Sequence, residues 1–309
     1  AVISSFVLML LAVRQAGKWY WLLTGLALLL QAYHLLMMEY YSGLEIVRLL
    51  VLWLALPEMP IRKRLTSTFR RWFPYLLILA LYAVYRLSYS QLYGYDRFEP
   101  SLLAGLSANP LPKLINLLQS VFRDTVYILV SPWYAAIQPS TFELGRASTW
   151  YLLTAGTALA VLFAIAVSRI ETDHAQSQNH AQTPLRLIGF GLLALLLAML
   201  PSWLIGFEMY SKNPLWSSRL ALPAMLGASM LTVGTAYFFI QTPARRNILL
   251  GILLGIAFTS QFQTAREFKT SWEKQLQFYW QLYWRAPSLQ PGTLLVADNE
   301  ILYYMGDSP

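Results

Sequence analysis

The chain contains no cysteine, which excludes a disulfide framework and any thiolate metal site. It is also poor in charge: only 12% of its 309 residues are Asp, Glu, Lys or Arg. A soluble domain carries about 25%, so a water-solvated globular surface cannot be built from this composition. The sequence lacks a Walker loop, a dinucleotide fingerprint, an HExxH motif and a nucleophile elbow. A cytoplasmic nucleotide-consuming reaction therefore has nothing here to run on.

What fills the chain is apolar sequence, 57% of all residues. Eight apolar stretches stand out, at 1–13, 19–38, 44–60, 73–92, 148–168, 185–206, 219–240 and 247–263. A helix needs roughly 20 apolar residues to cross a hydrocarbon core of about 30 Å, and most of these stretches have that length. The expected class is an all-α polytopic membrane protein with about eight transmembrane helices. The chain opens on Ala1 and its first stretch stops at Arg14, too short to cross, so an interior piece of a longer protein is expected. That opening stretch has neither a basic leader nor a small-residue cleavage site, which argues against a signal peptide.

The formal charge of +8 lies beside the apolar stretches rather than on a polar domain, so membrane orientation explains it better than nucleic acid does. The gaps after the first, third, fifth and seventh stretches hold Arg14, Lys18, Arg62, Lys63, Arg64, Arg70, Arg71, Arg169, Arg186, Arg245 and Arg246. Against these eleven stand three acidic residues, Glu58, Glu171 and Asp173, whereas the other side is nearly balanced. The positive-inside rule then puts the basic gaps in the cytoplasm, and loop 93–147 and the C-terminus outside. A bacterial plasma membrane is the expected location.

Two domains are expected. Residues 1–263 form the transmembrane domain, with the outer loop 93–147 and a polar cytoplasmic loop 169–185. Residues 264–309 form an external amphipathic helix and the beginning of a truncated α/β domain. Within the outer loop, Pro110 to Ile137 is apolar but interrupted by Lys113, Arg123 and Asp124 and broken by Pro112 and Pro132. One or two interfacial helices, or a re-entrant pair, preserve the charge parity where one more crossing would invert it. Phe268, Trp272, Leu276, Tyr279 and Tyr283 recur at helical spacing, with Lys269 and Glu273 as an i,i+4 pair on the wet side. Pro291-Gly292 then makes a turn into the strand-like Thr293–Ala297.

Charged groups inside a span cost about 2.5–3.5 kcal/mol each on insertion scales, so each needs a reason. Glu45 and Arg48, at i,i+3 in the third stretch, fit either a self-neutralising pair or a site. In the latter, Glu45 or Glu39 is a carboxylate base and Arg48 holds an anion. Arg86 lies one turn from the end of its stretch, where it could snorkel or bind the same anion. Arg219 opens the run Trp216-Ser-Ser-Arg219-Leu-Ala-Leu-Pro223-Ala-Met-Leu-Gly227 on the outer side, against the orientation bias. It is either paired with Glu208 or reserved for a lipid phosphate, which guanidinium binds bidentately. Tyr93-Gly94-Tyr95-Asp96-Arg97-Phe98-Glu99-Pro100 gathers carboxylates and aromatics suited to a sugar or to an interfacial loop, and adds Asp96 as a third carboxylate candidate. Gln31 and His34 read as interhelical hydrogen-bonding residues. His174 and His180 read as part of a solvated linker, because no third ligand accompanies them.

Taken together, the many spans, the outward loops and the external C-terminal segment resemble the GT-C superfamily of integral-membrane glycosyltransferases, including protein O-mannosyltransferase relatives. The motif that carries the resemblance is Arg219 with Leu222-Pro223 and Gly227, where Leu220 stands in place of the aromatic usual after the arginine. The resemblance implies transfer of a sugar from a polyprenyl-phosphate carrier to an acceptor on the outer face. A carboxylate would activate the acceptor hydroxyl and Arg219 would stabilise the departing phosphate. The partners implied are membrane lipid and a polyprenyl-phosphate-linked sugar. No cofactor is identifiable; a divalent metal is compatible with such chemistry, but no set of ligands here supports one. The alternatives are a non-catalytic membrane subunit or assembly partner, and a transporter or flippase.

Overall fold

The computed structural model describes residues 1–93, 110–138, 145–174, 183–204, 206, 219–288, 290 and 292–293. Nearly all of them are helical, and no strand occurs among the described residues. The helices are α1 (Val2–Val13), α2 (Lys18–Met37), α3 (Ser42–Ala55), α4 (Ile61–Tyr93), α5 (Pro110–Ile137), α6 (Ala147–His174), α7 (Thr183–Leu204), α8 (Met225–Phe239) and α9 (Pro243–Arg285). Short 3-10 turns at Glu39–Tyr41 and Arg219–Ala224 lead into α3 and α8.

Each of the eight apolar stretches coincides with one of these helices. Five segments are long and apolar enough to cross a membrane: Lys18–Met37, Ala147–Arg169, Pro184–Leu204, Leu220–Phe239 and Pro243–Arg285. The count of eight is not reached on this criterion. Helices α1 and α3, at 12 and 14 residues, are shorter than a crossing takes, and α4 mixes Arg86 and tyrosines into its apolar part. A membrane surround is nevertheless what these helices indicate. Only 6% of the most apolar window of Ala147–Arg169 is buried within the protein, so its side chains need a solvent other than water. The segment expected to open an α/β domain lies outside the described residues from 294 onward.

The chain divides into two compact units, the first comprising Ala1–Leu129 with Gln182–Thr235 and the second Val130–Ala181 with Ala236–Pro309. In the first unit, α3 packs on α7 through Gly43, where any Cβ would overlap the carbonyl of Ala198. Helices α7 and α8 run antiparallel at close range: Gly227 meets Leu195, Gly191 meets Leu231, and Gly234 meets Ile188 and Pro184. Without lipid-phase hydrophobicity to drive association, small residues that let backbones approach supply the packing instead.

The basic gaps of the first unit meet at one end. An amino group of Arg64 donates to the carbonyl of Trp53 at 2.7 Å, near the end of α3, and its guanidinium stacks over the Trp53 ring. Arg71 donates to the carbonyl of Val13 at 3.3 Å, at the end of α1, and Arg186 at the start of α7 stands 3.9 Å from Glu58. Cations at helix C-termini satisfy orphan carbonyls and the negative end of the dipole. The antiparallel α7 and α8 then place Arg219 at the opposite end of the unit, roughly 30 Å away along a 22-residue helix.

In the second unit α6 packs along α9. Gly251 and Gly255 of α9 face Gly156 and Ala160 of α6, and a Cβ on Gly251 or Gly255 would collide with the carbonyl of Ala160 or Gly156. Helix α9 is 43 residues long, about 65 Å, so the apolar stretch 247–263 and the aromatic run beyond it are one continuous helix. Phe268, Trp272, Leu276, Tyr279 and Tyr283 are all exposed on it, and Lys269 lies 3.8 Å from Glu273. Helix α5 is likewise unbroken. Pro112 falls in its first turn, where a missing N–H costs nothing, and Pro132 is accommodated inside.

Candidate functional site

The densest polar constellation lies inside the first unit, contributed by α1 to α4. Glu45 and Arg48 share one face of α3 because they are three residues apart. Arg48 Nε donates to Glu45 Oε2 at 2.7 Å and a terminal nitrogen donates to Oε1 at 3.0 Å, a two-point clamp. The pair is sealed, at 0% and 1% exposure. Gln31 of α2 donates from Nε2 to Glu45 Oε2 at 2.8 Å and to the Tyr75 carbonyl at 2.9 Å. His34, one turn further along α2, brings Nε2 to 3.1 Å from Glu45 Oε1. The Ser5 hydroxyl of α1 accepts from Arg48 at 3.1 Å and donates to the Ala27 carbonyl at 2.7 Å. The guanidinium lies over the rings of Phe6 and Tyr75, with centroids 4.3 and 4.5 Å away. The indole of Trp72 donates to the Glu45 carbonyl at 3.0 Å.

In this state both charges are consumed by each other and by their neighbours. Arg48 has ion-pair, hydroxyl and π partners, and none of its guanidinium is exposed to solvent. Of the two readings the sequence left open, the geometry here is that of the neutral pair. Gln31 and His34 make the interhelical contacts expected of them, and both make them to this carboxylate.

The other sequence candidates are only partly within the described residues. Glu39 begins the 3-10 turn before α3, and its side chain lies outside the described atoms. Arg86 is partly buried on α4 and engaged with a neighbour. Arg219 opens the 3-10 turn Arg219–Ala224, whose Ala221 and Ala224 are buried against Trp203, Met199 and Leu195 of α7. The side chain of Arg219, and the whole of Asp96 and Glu208, lie outside the described residues. Among the described residues, the structure therefore brings Glu45 and Arg48 together.

A second buried carboxylate was treated in the sequence only as an interruption. Asp124, in the middle of α5, is 0% exposed and accepts a hydrogen bond from Trp203 Nε1 at 3.0 Å. Its signal in the sequence was an acidic residue inside an apolar run, the same signal that singled out Glu45. A cavity of about 270 Å³ in the second unit is lined by Ala136, Leu153, Gly156, Ala160, Gly255 and Thr259 among others, none of them charged. No protein-family model matches the chain, no curated protein is detectably similar to it, and no solved structure matches its fold.

Proposed function

We propose that the chain is part of a membrane glycosyltransferase that moves a sugar from a polyprenyl-phosphate carrier to an acceptor on the outer face of the membrane. In this reading the apolar helices lie in the bilayer with α1 as a partial span, the basic end of the first unit is cytoplasmic, and an external domain follows α9. The supporting observation is the position of Arg219. Its turn lies at the end of α7 and α8 remote from Arg64, Arg71 and Arg186, so an arginine stands where the orientation bias disfavours positive charge. A carrier phosphate in the outer leaflet is the anion that explains it. As the sugar–phosphate bond breaks, negative charge grows on the carrier oxygen, and a guanidinium there stabilises the transition state more than the ground state.

The test is sugar transfer by the full-length protein with a polyprenyl-phosphate-linked sugar. Arg219→Ala should lower kcat by about 10²–10³, the typical cost of removing one charge-stabilising donor, and Arg219→Lys should recover only part of it. Unchanged turnover in Arg219→Ala would remove the basis for the reading.

A second reading, a non-catalytic membrane subunit, is favoured by one observation: Glu45 and Arg48 neutralise each other locally and are closed to solvent. It expects no transfer by the isolated protein, and a loss of partner assembly when the bundle is destabilised.

A further inference from the structure

Two buried carboxylates among the described residues of the first unit differ in how completely they are satisfied. Glu45 accepts from Gln31 and twice from Arg48, with His34 alongside. Asp124 accepts from Trp203 at Oδ2, and its Oδ1, inaccessible to solvent, has no hydrogen-bond partner among the described residues. Among the described residues Arg123 forms a long ion pair with it, Nε standing 3.8 Å from Oδ1, beyond hydrogen-bond reach. The Arg123 side chain is 42% exposed, so solvent screens much of that charge. The neighbouring Thr125 hydroxyl is also buried without a partner.

A buried carboxylate oxygen without a donor is destabilising, and evolution could remove the cost with an asparagine or a leucine. Such groups persist where a ligand supplies the missing partner. Location narrows the ligand. Trp203, which holds Asp124, is packed with Ala221 and Ala224 of the turn that Arg219 opens. The unsatisfied acceptor and the proposed phosphate-binding arginine thus belong to one junction of α5, α7 and the 3-10 turn.

We infer that Asp124 is a ligand-binding carboxylate whose Oδ1 accepts a hydrogen bond from a substrate hydroxyl, while Glu45 is structural. The inference rests on the glycosyl-transfer reading for the identity of the hydroxyl, and names the sugar or acceptor alcohol as the group bound. Binding requires the junction to open, since Asp124 is covered in this state.

The test uses the full chain in native membranes, treated with dicyclohexylcarbodiimide, an apolar reagent that forms acylureas on membrane carboxyls not locked in a hydrogen-bonded ion pair. Peptide mass spectrometry should find the adduct on Asp124 and not on Glu45, and Asp124→Asn should abolish it. Asp124→Asn keeps an oxygen for the Trp203 indole, so its Tm in detergent should equal or exceed wild type, whereas Glu45→Gln should melt several degrees lower. An unlabelled Asp124, or a Tm loss in Asp124→Asn as large as in Glu45→Gln, would show Asp124 to be structural. Labelling and melting need no turnover, so they fail or succeed independently of the transferase assay. Where that assay shows transfer, Asp124→Asn should raise KM at least tenfold; wild-type KM and kcat would overturn the hydroxyl role alone.

Discussion

Arg48 clamps Glu45 through two nitrogens while its guanidinium lies over the rings of Phe6 and Tyr75. Removing one partner leaves an uncompensated charge in a site closed to bulk solvent, which costs about 3–5 kcal/mol. Glu45→Leu and Arg48→Leu should therefore each lower thermal stability sharply, by chemical denaturation or melting in detergent. Replacing both with methionine should recover most of the loss, because the desolvation penalty disappears with the pair. Additive losses in the double variant would mean that the two side chains are not coupled as their geometry requires.

The second unit depends on the closeness of α6 and α9. A Cβ at Gly251 would lie about 2.5 Å from the carbonyl oxygen of Ala160, and the neighbour is backbone, which cannot rotate aside. Gly251→Leu should force the helices apart and destabilise the unit by about 1–3 kcal/mol, the usual range for overpacking. Gly25, which has open space around it, provides the control: Gly25→Ala should leave melting unchanged or raise it slightly. Equal melting of Gly251→Leu and wild type would mean that the close approach is not what holds these helices.

The eight apolar runs were legible because side-chain hydropathy decides where a helix can be buried in lipid. Their ends were less so. Helix α4 begins at Ile61, a dozen residues before its apolar run, because Arg62, Lys63 and Arg64 are good helix formers that a hydropathy pattern reads only as charge. Helix α9 continues through Arg266 and Lys269 for the same reason. Pro132 suggested a break, but a helix inside a bundle absorbs one lost hydrogen bond. The site was partly legible. The i,i+3 spacing of Glu45 and Arg48 put them on one face, and Gln31 and His34 were readable as polar glue. That all four would converge, with Ser5 and Tyr75, is a tertiary fact with no local signature. Asp124 was visible as a charge in an apolar run, yet only the partner count separates it from Glu45.

Orientation is the remaining claim on which the proposed chemistry rests, and the absence of cysteine makes it directly measurable. Single cysteines introduced at Lys63, in the basic gap, and at Ser101, in loop 93–147, can be labelled in intact cells with a membrane-impermeant maleimide. The contacts that gather Arg64, Arg71 and Arg186 at one end concentrate positive charge there, and translocating that cluster across the membrane is disfavoured. Ser101→Cys should therefore react from outside, and Lys63→Cys only after the membrane is permeabilised. The reverse pattern would put the Arg219 end of the first unit in the cytosol, where an outer-leaflet carrier could not reach it.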